Sequence, residues 1–217
     1  MITGTDPQDR ASAEYDHQYR NWLSRMGPQA LDLDWRIRHL LWRHRVLLRR
    51  YPVRGKRVLD FGCMDGVFTL MLQRLGAEAV GFDISADAVA QAEKFRGTVV
   101  HPTFTTVKPG PGQFDLVFCN EVLEHISDDS DFVGELTDFL APDGMLIGTT
   151  PVGRYFWDAD HKREYNEETL ARALSPWGSV RISRYYRSPL RNFLPVKQNG
   201  AAVFIFEVRP LSLWDAH

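Results

Sequence analysis

The sequence predicts an α/β fold built on a mostly parallel sheet of seven strands, with helices on both faces. Short apolar runs alternate along the chain with segments whose apolar residues recur at helical spacing. Strands separated by helices in this way are joined by right-handed crossovers and lie parallel. The last two predicted strands follow each other without an intervening helix, so we expect them to form an antiparallel pair that closes the sheet.

The clearest unit of this fold lies between residues 57 and 85. Arg57–Phe61 is a short apolar run typical of a buried parallel strand, and a turn with glycines at positions 62 and 66 follows it. Val67–Leu75 has helical spacing and ends before Gly76, and Ala79–Phe82 forms the next apolar run. These segments predict a βαβ unit.

The turn of this unit favours a nucleoside-containing ligand. Gly62 and Gly66 allow the backbone to approach a ligand closely, and the helix that follows directs free N–H groups toward the same place. Asp83 comes directly after the second strand, where a carboxylate can accept hydrogen bonds from both hydroxyls of a ribose. The turn has only two glycines, which weakens the interpretation as a dinucleotide site of the GxGxxG type.

Residues 60–66, DFGCMDG, resemble the DxGCxxG form of motif I in class I methyltransferases that depend on S-adenosylmethionine (SAM). The segment FDLVFCNEVLEHI at residues 114–126 follows in the order typical of that family. The resemblance implies a Rossmann-like fold, SAM as cofactor and methyl transfer as the activity. The cofactor-binding residues that it implies are Asp60, Gly62, Cys63, Gly66, Asp83, Ile84, Asn120 and Tyr19.

Two helices are predicted before the first strand. We expect Met1–Ser12 to be disordered or weakly held, Ala13–Met26 to form a short helix, and Leu31–Tyr51 to form one longer amphipathic helix. Class I methyltransferases often carry lid helices at this position. Tyr15 and Tyr19 are accordingly candidates for a lid over the cofactor, or else ordinary core residues.

A basic segment spans Trp35 to Arg57. Its apolar residues recur at i, i+3 and i+4, so its cations fall on the opposite face, either as a solvated helix surface or as a phosphate-binding surface. The cations of the segment are Arg36, Arg38, Arg43, Arg45, Arg49, Arg50, Arg54, Lys56 and Arg57.

The stretch after Asp83 departs from the family pattern. Ala86–Phe95 predicts a helix and Thr98–His101 a third strand, but the Pro-Gly pairs in Pro102–Gln113 leave no room for a crossover helix. The acid that contacts adenine in the family is missing, so we expect His101–Phe104 to supply these contacts through backbone or packing.

The remaining elements complete the predicted sheet. They are a strand at Phe114–Cys119, a helix at about Asp131–Leu140 capped by Ser127 or Asp128, a strand at Met145–Thr150, a helix capped at Asn166, and strands at Val180–Tyr185 and Ala201–Val208. Asp60, Asp83, Asn120 and Thr150 then come at the carboxyl ends of strands, where parallel sheets bind ligands.

An acid and imidazole cluster follows the fourth strand. Glu121, Glu124 and His125 form an ExxEH motif, and we expect His161 at the same edge of the sheet. Two carboxylates and two imidazoles suit Mg²⁺ or Mn²⁺, with Zn²⁺ as the alternative. Alternatively, His125 or His161 is a metal-free general base, or the glutamates only cap a helix or contact SAM.

The motif and its context TP…DxxHxREY resemble both ubiquinone-pathway O-methyltransferases and small-RNA 2′-O-methyltransferases. In those families such residues bind a divalent cation that holds adjacent hydroxyls. Side chains from the loops that would line the acceptor, or else form ordinary surface and core, are Arg154, Tyr155, Trp157, Arg163, Tyr186 and Arg187.

Composition sets the remaining expectations. With 217 residues and 44% hydrophobic content, we expect one domain over residues 1–217, with a helical cap at 1–54 and a core at 55–217. Cys63 and Cys119 are expected to be reduced packing residues. No membrane-spanning run or signal peptide is present, so we expect a cytoplasmic protein with no membrane partner. The net charge of −2 gives no global argument for nucleic acid, which is the less favoured partner.

The sequence therefore predicts a SAM-dependent methyltransferase acting on a hydroxyl of a small molecule such as a sugar, a polyketide or an aromatic natural product. The alternatives are an RNA 2′-O-methyltransferase, which the basic segment favours, a small-molecule N-methyltransferase, and a SAM-binding protein without catalysis.

Overall fold

The structure is a computed structural model that describes residues 7–97, 102–153, 160–187 and 202–210, with only the backbone described for residues 7–10. Its strands are β1 (Arg57–Phe61), β2 (Glu78–Phe82), β3 (Thr103–Thr105), β4 (Phe114–Asn120), β5 (Leu140–Pro151), β6 (Ser179–Tyr186) and β7 (Ala202–Arg209). They form one sheet in the order β3-β2-β1-β4-β5-β7-β6. Strand β2 is parallel to β3 and β4 to β5, whereas β7 is antiparallel to both β5 and β6. The predicted fold class is confirmed.

Seven α-helices accompany these strands within the described residues. They are α1 (Pro7–Met26), α2 (Leu33–Arg38), α3 (Trp42–Arg50), α4 (Val67–Arg74), α5 (Ala86–Arg96), α6 (Asp129–Asp138) and α7 (Glu167–Leu174). Single 3₁₀ turns occur at Pro28–Leu31, Leu123–His125 and Ser175–Trp177. Among the described residues, no helix combines the length and the apolar character needed to cross a membrane.

The chain divides into two compact units. The first comprises Met1–Gly55 and Leu59–Pro109, and the second comprises Lys56–Val58 and Gly110–His217. In the first unit, a buried cluster forms around the glycine turn from Cys63, Leu70, Ala92 and Phe104. In the second, the largest fully buried side chains include Phe118 of β4 and Phe204 and Phe206 of β7.

The N-terminal helices differ from the prediction. Helix α1 begins at Pro7, so the expected disorder is wrong for residues 7–12, and the Ser12 hydroxyl donates to the carbonyl of Ile84 over 3.0 Å. The single helix expected over Leu31–Tyr51 is also wrong, because the chain breaks into a 3₁₀ turn, α2 and α3. Asp32 explains the first break, since its carboxylate accepts from the Trp35 amide over 3.0 Å and starts a new helix.

Several other boundaries move by a few residues. The predicted third strand at Thr98–His101 lies outside the described residues, and the observed β3 comes just after it. Strand β5 begins at Leu140 instead of Met145, across an irregularity in its pairing with β4. Helix α6 starts at Asp129 after Asp128, whose side chain makes no capping hydrogen bond. The cap at Asn166 is confirmed as a reciprocal capping box with Thr169.

Candidate functional site

The glycine turn after β1 is held by its own backbone. The amides of Gly62 and Cys63 donate to the carbonyl of Phe82 over 2.8 and 2.9 Å, and the amide of Met64 donates to Asp83 Oδ2 over 2.7 Å. These N–H groups therefore fix the turn against the end of β2. The free N–H groups expected at this site are therefore those of the first turn of α4 and not those of the turn itself.

Gly66 is required for two reasons. Its φ of 75° lies in the left-handed region, which a side chain with a Cβ adopts at a cost. A Cβ built at this position also comes within 2.4 Å of the Phe104 ring and 2.9 Å of the Ala92 Cβ. The turn, α5 and β3 therefore pack together only because residue 66 lacks a side chain.

Asp83 is oriented by two backbone donors. The Met64 amide bonds one carboxylate oxygen, and the Ser85 amide donates to the other over 2.9 Å. Each oxygen keeps a second lone pair for a further donor. Burial raises the pKa of Asp83 to about 6, against the lowering effect of these two amides. The carboxylate predicted to bind the ribose is thus held in a fixed orientation, and each of its oxygens can accept a further hydrogen bond.

Asp60 faces the protein interior. Its side chain is buried, and the Thr69 hydroxyl on α4 donates to its Oδ2 over 2.6 Å. Burial raises the pKa of Asp60 to about 7, with the Thr69 hydrogen bond acting in the opposite direction. Asp60 therefore connects β1 to α4, and its contact with SAM remains a prediction.

Asp65 is a site feature that sequence reasoning missed. Its buried carboxylate lies in the glycine turn and makes a forked ion pair with Arg36 of α2, one arm of which measures 3.1 Å. The Arg36 guanidinium also lies over the Trp22 ring of α1, 4.6 Å from its centre. Both N-terminal helices are thereby connected to the turn. The acid between two glycines was the available signal, but Arg36 was treated only as one cation of the basic segment.

Helix α1 also contacts the loop that follows β2. The Ser85 hydroxyl donates to Asp16 over 2.7 Å, the Asp87 amide donates to the same carboxylate oxygen over 3.1 Å, and Arg20 forms an ion pair with Asp87. The Ser12 hydroxyl bonds the backbone of Ile84. The predicted cap helices therefore reach both loops that carry the cofactor candidates.

Tyr19 is the cofactor candidate on α1. Its side chain is buried and stacks on Trp22 with ring centres 6.0 Å apart. Burial and then the nearby carboxylate of Asp65 raise the pKa of Tyr19. Its buried hydroxyl has no hydrogen-bond partner among the described residues. A buried hydroxyl in that state is the signature of a group whose partner is a ligand or water.

Cys63 is a packing residue, as expected. Its thiol is buried beside Phe104 and reaches the Met64 carbonyl at 3.6 Å. Burial raises the pKa of this thiol well above its ordinary value, so it stays neutral. Cys119 is likewise buried, with a reduced thiol.

In the second unit, Asn120 ends strand β4 and Glu121 directly follows it. The side-chain oxygen and nitrogen of Asn120 are both buried and have no hydrogen-bond partner within the described part of the chain. This state fits the prediction that Asn120 contacts a ligand. Glu121 adopts a φ of 57°, and its amide donates to the Thr149 carbonyl over 2.9 Å.

The structure brings three of the four predicted metal or base residues together. Glu124, His125 and His161 each offer a ligand atom, and these atoms lie within 4.8 Å of one another. Glu121 is not a member of this group. Glu124 is buried and accepts from the Thr150 hydroxyl over 3.0 Å. The two imidazole rings meet edge to face with centres 4.8 Å apart.

His125 has a defined orientation. Its Nδ1 lies 3.2 Å from the carbonyl of Asp160. Because a carbonyl only accepts, Nδ1 carries the proton and Nε2 is the basic nitrogen of the neutral ring. In the neutral ring, Nε2 is therefore the nitrogen whose lone pair can take a proton or a metal.

The connection from β5 to α7 is fastened beside this cluster. The amides of Lys162 and Arg163 donate to the Glu124 carbonyl over 2.9 and 3.2 Å, and the Arg163 side chain bonds the carbonyls of Ile126 and Ser127. Arg163, a predicted acceptor-lining residue, thus holds the loop that carries His161. The candidates Arg154, Tyr155 and Trp157 lie outside the described residues, and Tyr186 and Arg187 lie at and after the end of β6.

The fold and the glycine turn followed by Asp83 define a class I SAM-dependent methyltransferase domain. A family model described as a methyltransferase domain matches residues 35–189, so the chain belongs to this family. Two ubiquinone biosynthesis O-methyltransferases are among its relatives. The one from Methylococcus capsulatus is 33% identical over 103 residues, covering 44% of this chain and 44% of the relative. The one from Albidiferax ferrireducens is 31% identical over 128 residues, covering 55% and 46%.

The chain thus matches less than half the length of these curated relatives. Among solved structures, the magnesium protoporphyrin IX methyltransferase ChlM from Synechocystis with bound SAM has a TM-score of 0.65 at 18% identity, over 96% of this chain and 100% of that one. A SAM-dependent methyltransferase from Mesorhizobium loti has a TM-score of 0.61 at 17% identity, over 76% and 96%. At these identities the likeness shows the fold alone.

Proposed function

We propose that the chain transfers the methyl group of SAM to a hydroxyl of a small molecule. The observation that carries this proposal is the group formed by Glu124, His125 and His161, because a hydroxyl must lose a proton when it is methylated. Names of relatives add support, since both curated relatives described above are O-methyltransferases. A sugar, a polyketide and an aromatic natural product remain the acceptor classes of this proposal.

The first unit fits SAM through the chemistry of its residues. Asp83, fixed by two amides, would accept from the ribose hydroxyls, and the Tyr19 hydroxyl offers a buried donor that has no partner among the described residues. SAM supplies an electrophilic methyl group on its sulfonium. The chain itself contributes positioning and proton removal, because displacement at a methyl group needs little else from the protein.

His125 is the residue best arranged to take the proton. Its Nδ1 is engaged by the Asp160 carbonyl, so Nε2 can accept the proton of an acceptor hydroxyl. Glu124, buried next to this ring and bonded by Thr150, stabilises the positive charge that the imidazole would gain. His161 meets the ring of His125 at its edge and is the alternative base.

The same group is also chemically suited to a divalent cation. One carboxylate and two imidazoles match the ligand preferences of Zn²⁺ and Mn²⁺ better than those of Mg²⁺, which prefers oxygen. A cation held by Glu124, His125 and His161 would lower the pKa of an acceptor hydroxyl. Glu121, predicted as a fourth ligand, is not part of this group.

Chelation separates the two roles. If a cation is held, a chelator abolishes the formation of S-adenosylhomocysteine and added Mn²⁺, Mg²⁺ or Zn²⁺ restores it. If His125 acts as a base alone, chelation has no effect, and His125→Ala lowers turnover by roughly 10² to 10⁴ with a loss that eases as pH rises. His125→Ala should leave SAM affinity near normal in either case. Full activity after both chelation and replacement of each histidine would contradict transfer to a hydroxyl.

A further inference from the structure

The solvent face of α3 consists of one leucine and two arginines. Within residues 41–50, the exposed positions are Leu41, Arg45 and Arg49, spaced four apart and therefore aligned along one side of the helix. Leu41 is 44% exposed, a large value for an apolar side chain. Arg38 at the end of α2 is also exposed, and its carbonyl accepts a hydrogen bond from Arg45. We call these four residues the arginine face.

Within the part of the chain that the structure describes, the cations of this face have no acidic partner. The segment from Trp35 to Arg57 contains no Asp or Glu, although the whole chain has 28 of them and a net charge of −2. No ion pair among the described residues involves Arg38, Arg45 or Arg49. Arg45 and Arg49 lie four residues apart, where like charges destabilise a helix. A surface of this kind is stabilised when an anionic partner lies against it.

The guanidinium groups are held in place for such a partner. Arg45 donates from Nε to the Leu40 carbonyl over 3.0 Å and from Nη2 to the Arg38 carbonyl, and Arg49 donates from Nε to the Arg45 carbonyl over 3.2 Å. The other terminal nitrogens of these two side chains donate no hydrogen bond to any described residue. Arginines anchored in this way lose less rotamer freedom on binding, and their planar donors suit phosphate oxygens.

We propose that the arginine face binds the surface of a bilayer that contains anionic phospholipids. Charge complementarity favours phosphate groups, and Leu41 in the same row gives the face an apolar group that enters the headgroup region. A nucleic-acid backbone satisfies the arginines but leaves Leu41 in water, so the lipid surface accounts for more of the face.

This proposal is independent of the activity proposed above. The earlier expectation of no membrane partner rested on the lack of a spanning segment, and binding to a bilayer surface requires none. We therefore expect the arginine face to adsorb reversibly to an anionic bilayer, and more weakly as the salt concentration rises.

Vesicle co-sedimentation tests the proposal on the full chain. We expect binding to mixed phosphatidylcholine and phosphatidylglycerol vesicles, little binding to pure phosphatidylcholine vesicles, and loss of binding as salt is added. The Arg45→Glu, Arg49→Glu double variant should bind at least tenfold more weakly, since each arginine near an anionic surface contributes roughly fivefold. Leu41→Ser should weaken binding at every salt concentration.

The matched control reverses the same amount of charge elsewhere. Lys94→Glu with Arg209→Glu changes two exposed cations outside the arginine face and should bind vesicles much more strongly than the double reversal on α3. Because Arg45 also bonds the end of α2, Arg49→Glu alone provides a variant whose fold, checked by circular dichroism, is less at risk. Equal binding to neutral and anionic vesicles, equal loss in the control, or arginine-dependent binding of single-stranded RNA without vesicle binding overturns the proposal.

Discussion

The ion pair between Arg36 and Asp65 provides a sharp test of how the N-terminal helices are joined to the cofactor turn. The Asp65 side chain is only 2% exposed and that of Arg36 is 14% exposed. Replacing Arg36 with Met keeps most of the apolar stem but leaves a buried carboxylate without its counter-charge. Removing one partner of a buried pair in this way costs about 3 to 5 kcal/mol.

The reverse change should cost less. Asp65→Asn keeps the size and one acceptor, and it leaves behind an arginine that is less buried and still stacked on Trp22. We expect a loss of about 1.5 to 3 kcal/mol, as for a charged hydrogen bond. The Arg36→Met, Asp65→Asn double variant should then lose less than the sum of the single variants, with a coupling of about 1 kcal/mol or more.

The stability deficit of Arg36→Met should depend on pH, in a direction that follows from the pKa of Asp65. Burial raises the pKa of Asp65, and Arg36 is the largest influence that lowers it. Without Arg36, the folded-state pKa of Asp65 rises further above its unfolded value. Stability gained by protonating the carboxylate is then present at low pH and lost as pH rises through the raised pKa. The deficit of Arg36→Met should therefore grow from acid toward neutral pH.

Urea unfolding followed by circular dichroism at several pH values measures these free energies. Limited proteolysis of α1 and α2 reports whether the helices loosen before the rest of the unit unfolds. If Arg36→Met unfolds at the same urea concentration as the wild type, or if its loss of stability does not change with pH, the pair does not hold the cap helices to the turn.

Three further predictions concern the same unit. Asp83→Asn should weaken SAM binding at least tenfold in calorimetry, because the ribose loses a charged acceptor of about 1.5 to 3 kcal/mol, and should also lower thermal stability, because either the Met64 or the Ser85 amide loses its acceptor; unchanged affinity removes Asp83 from the site. Gly66→Val should abolish SAM binding or folding, since its Cβ meets the Phe104 ring at 2.4 Å, and Gly97→Val, also at positive φ but with open space around it, is the control. Because the folded-state pKa of Asp60 is raised to about 7, wild-type stability should fall by at most about 4 kcal/mol between about pH 4 and pH 7. Asp60→Asn should flatten this fall, and an unchanged dependence of stability on pH in urea unfolding contradicts the prediction.

The sheet could be predicted from the sequence because its strands carry a strong local signal. The runs Arg57–Phe61 and Phe114–Asn120 are mostly apolar and mostly buried, and the glycine turn and the cap at Asn166 have specific backbone chemistry. The break between α2 and α3 was missed because the apolar spacing continues across it. The earlier break, before α2, was missed because the Asp32 cap overrides the helical period there.

The candidate site was predictable by residue type and only partly by geometry. Motif spacing indicated His125 and His161 as neighbours, and their rings do meet. The pairing of Arg36 with Asp65 joins residues 29 positions apart, and nothing in the local pattern indicates which of nine cations turns inward. Long-range ion pairs of this kind depend on packing that the sequence pattern does not encode.

The central claim is that a methyl group moves from SAM to an acceptor oxygen. Turnover of SAM carrying a ¹³C-labelled methyl group, with a panel of sugars, phenols and catechols and an amine series as control, measures it directly by NMR of the products. The account predicts labelled methyl ethers formed in equal amount to S-adenosylhomocysteine, and a severe loss of both in His125→Ala. Label on nitrogen, or tight SAM binding without label transfer to any hydroxyl, would contradict it.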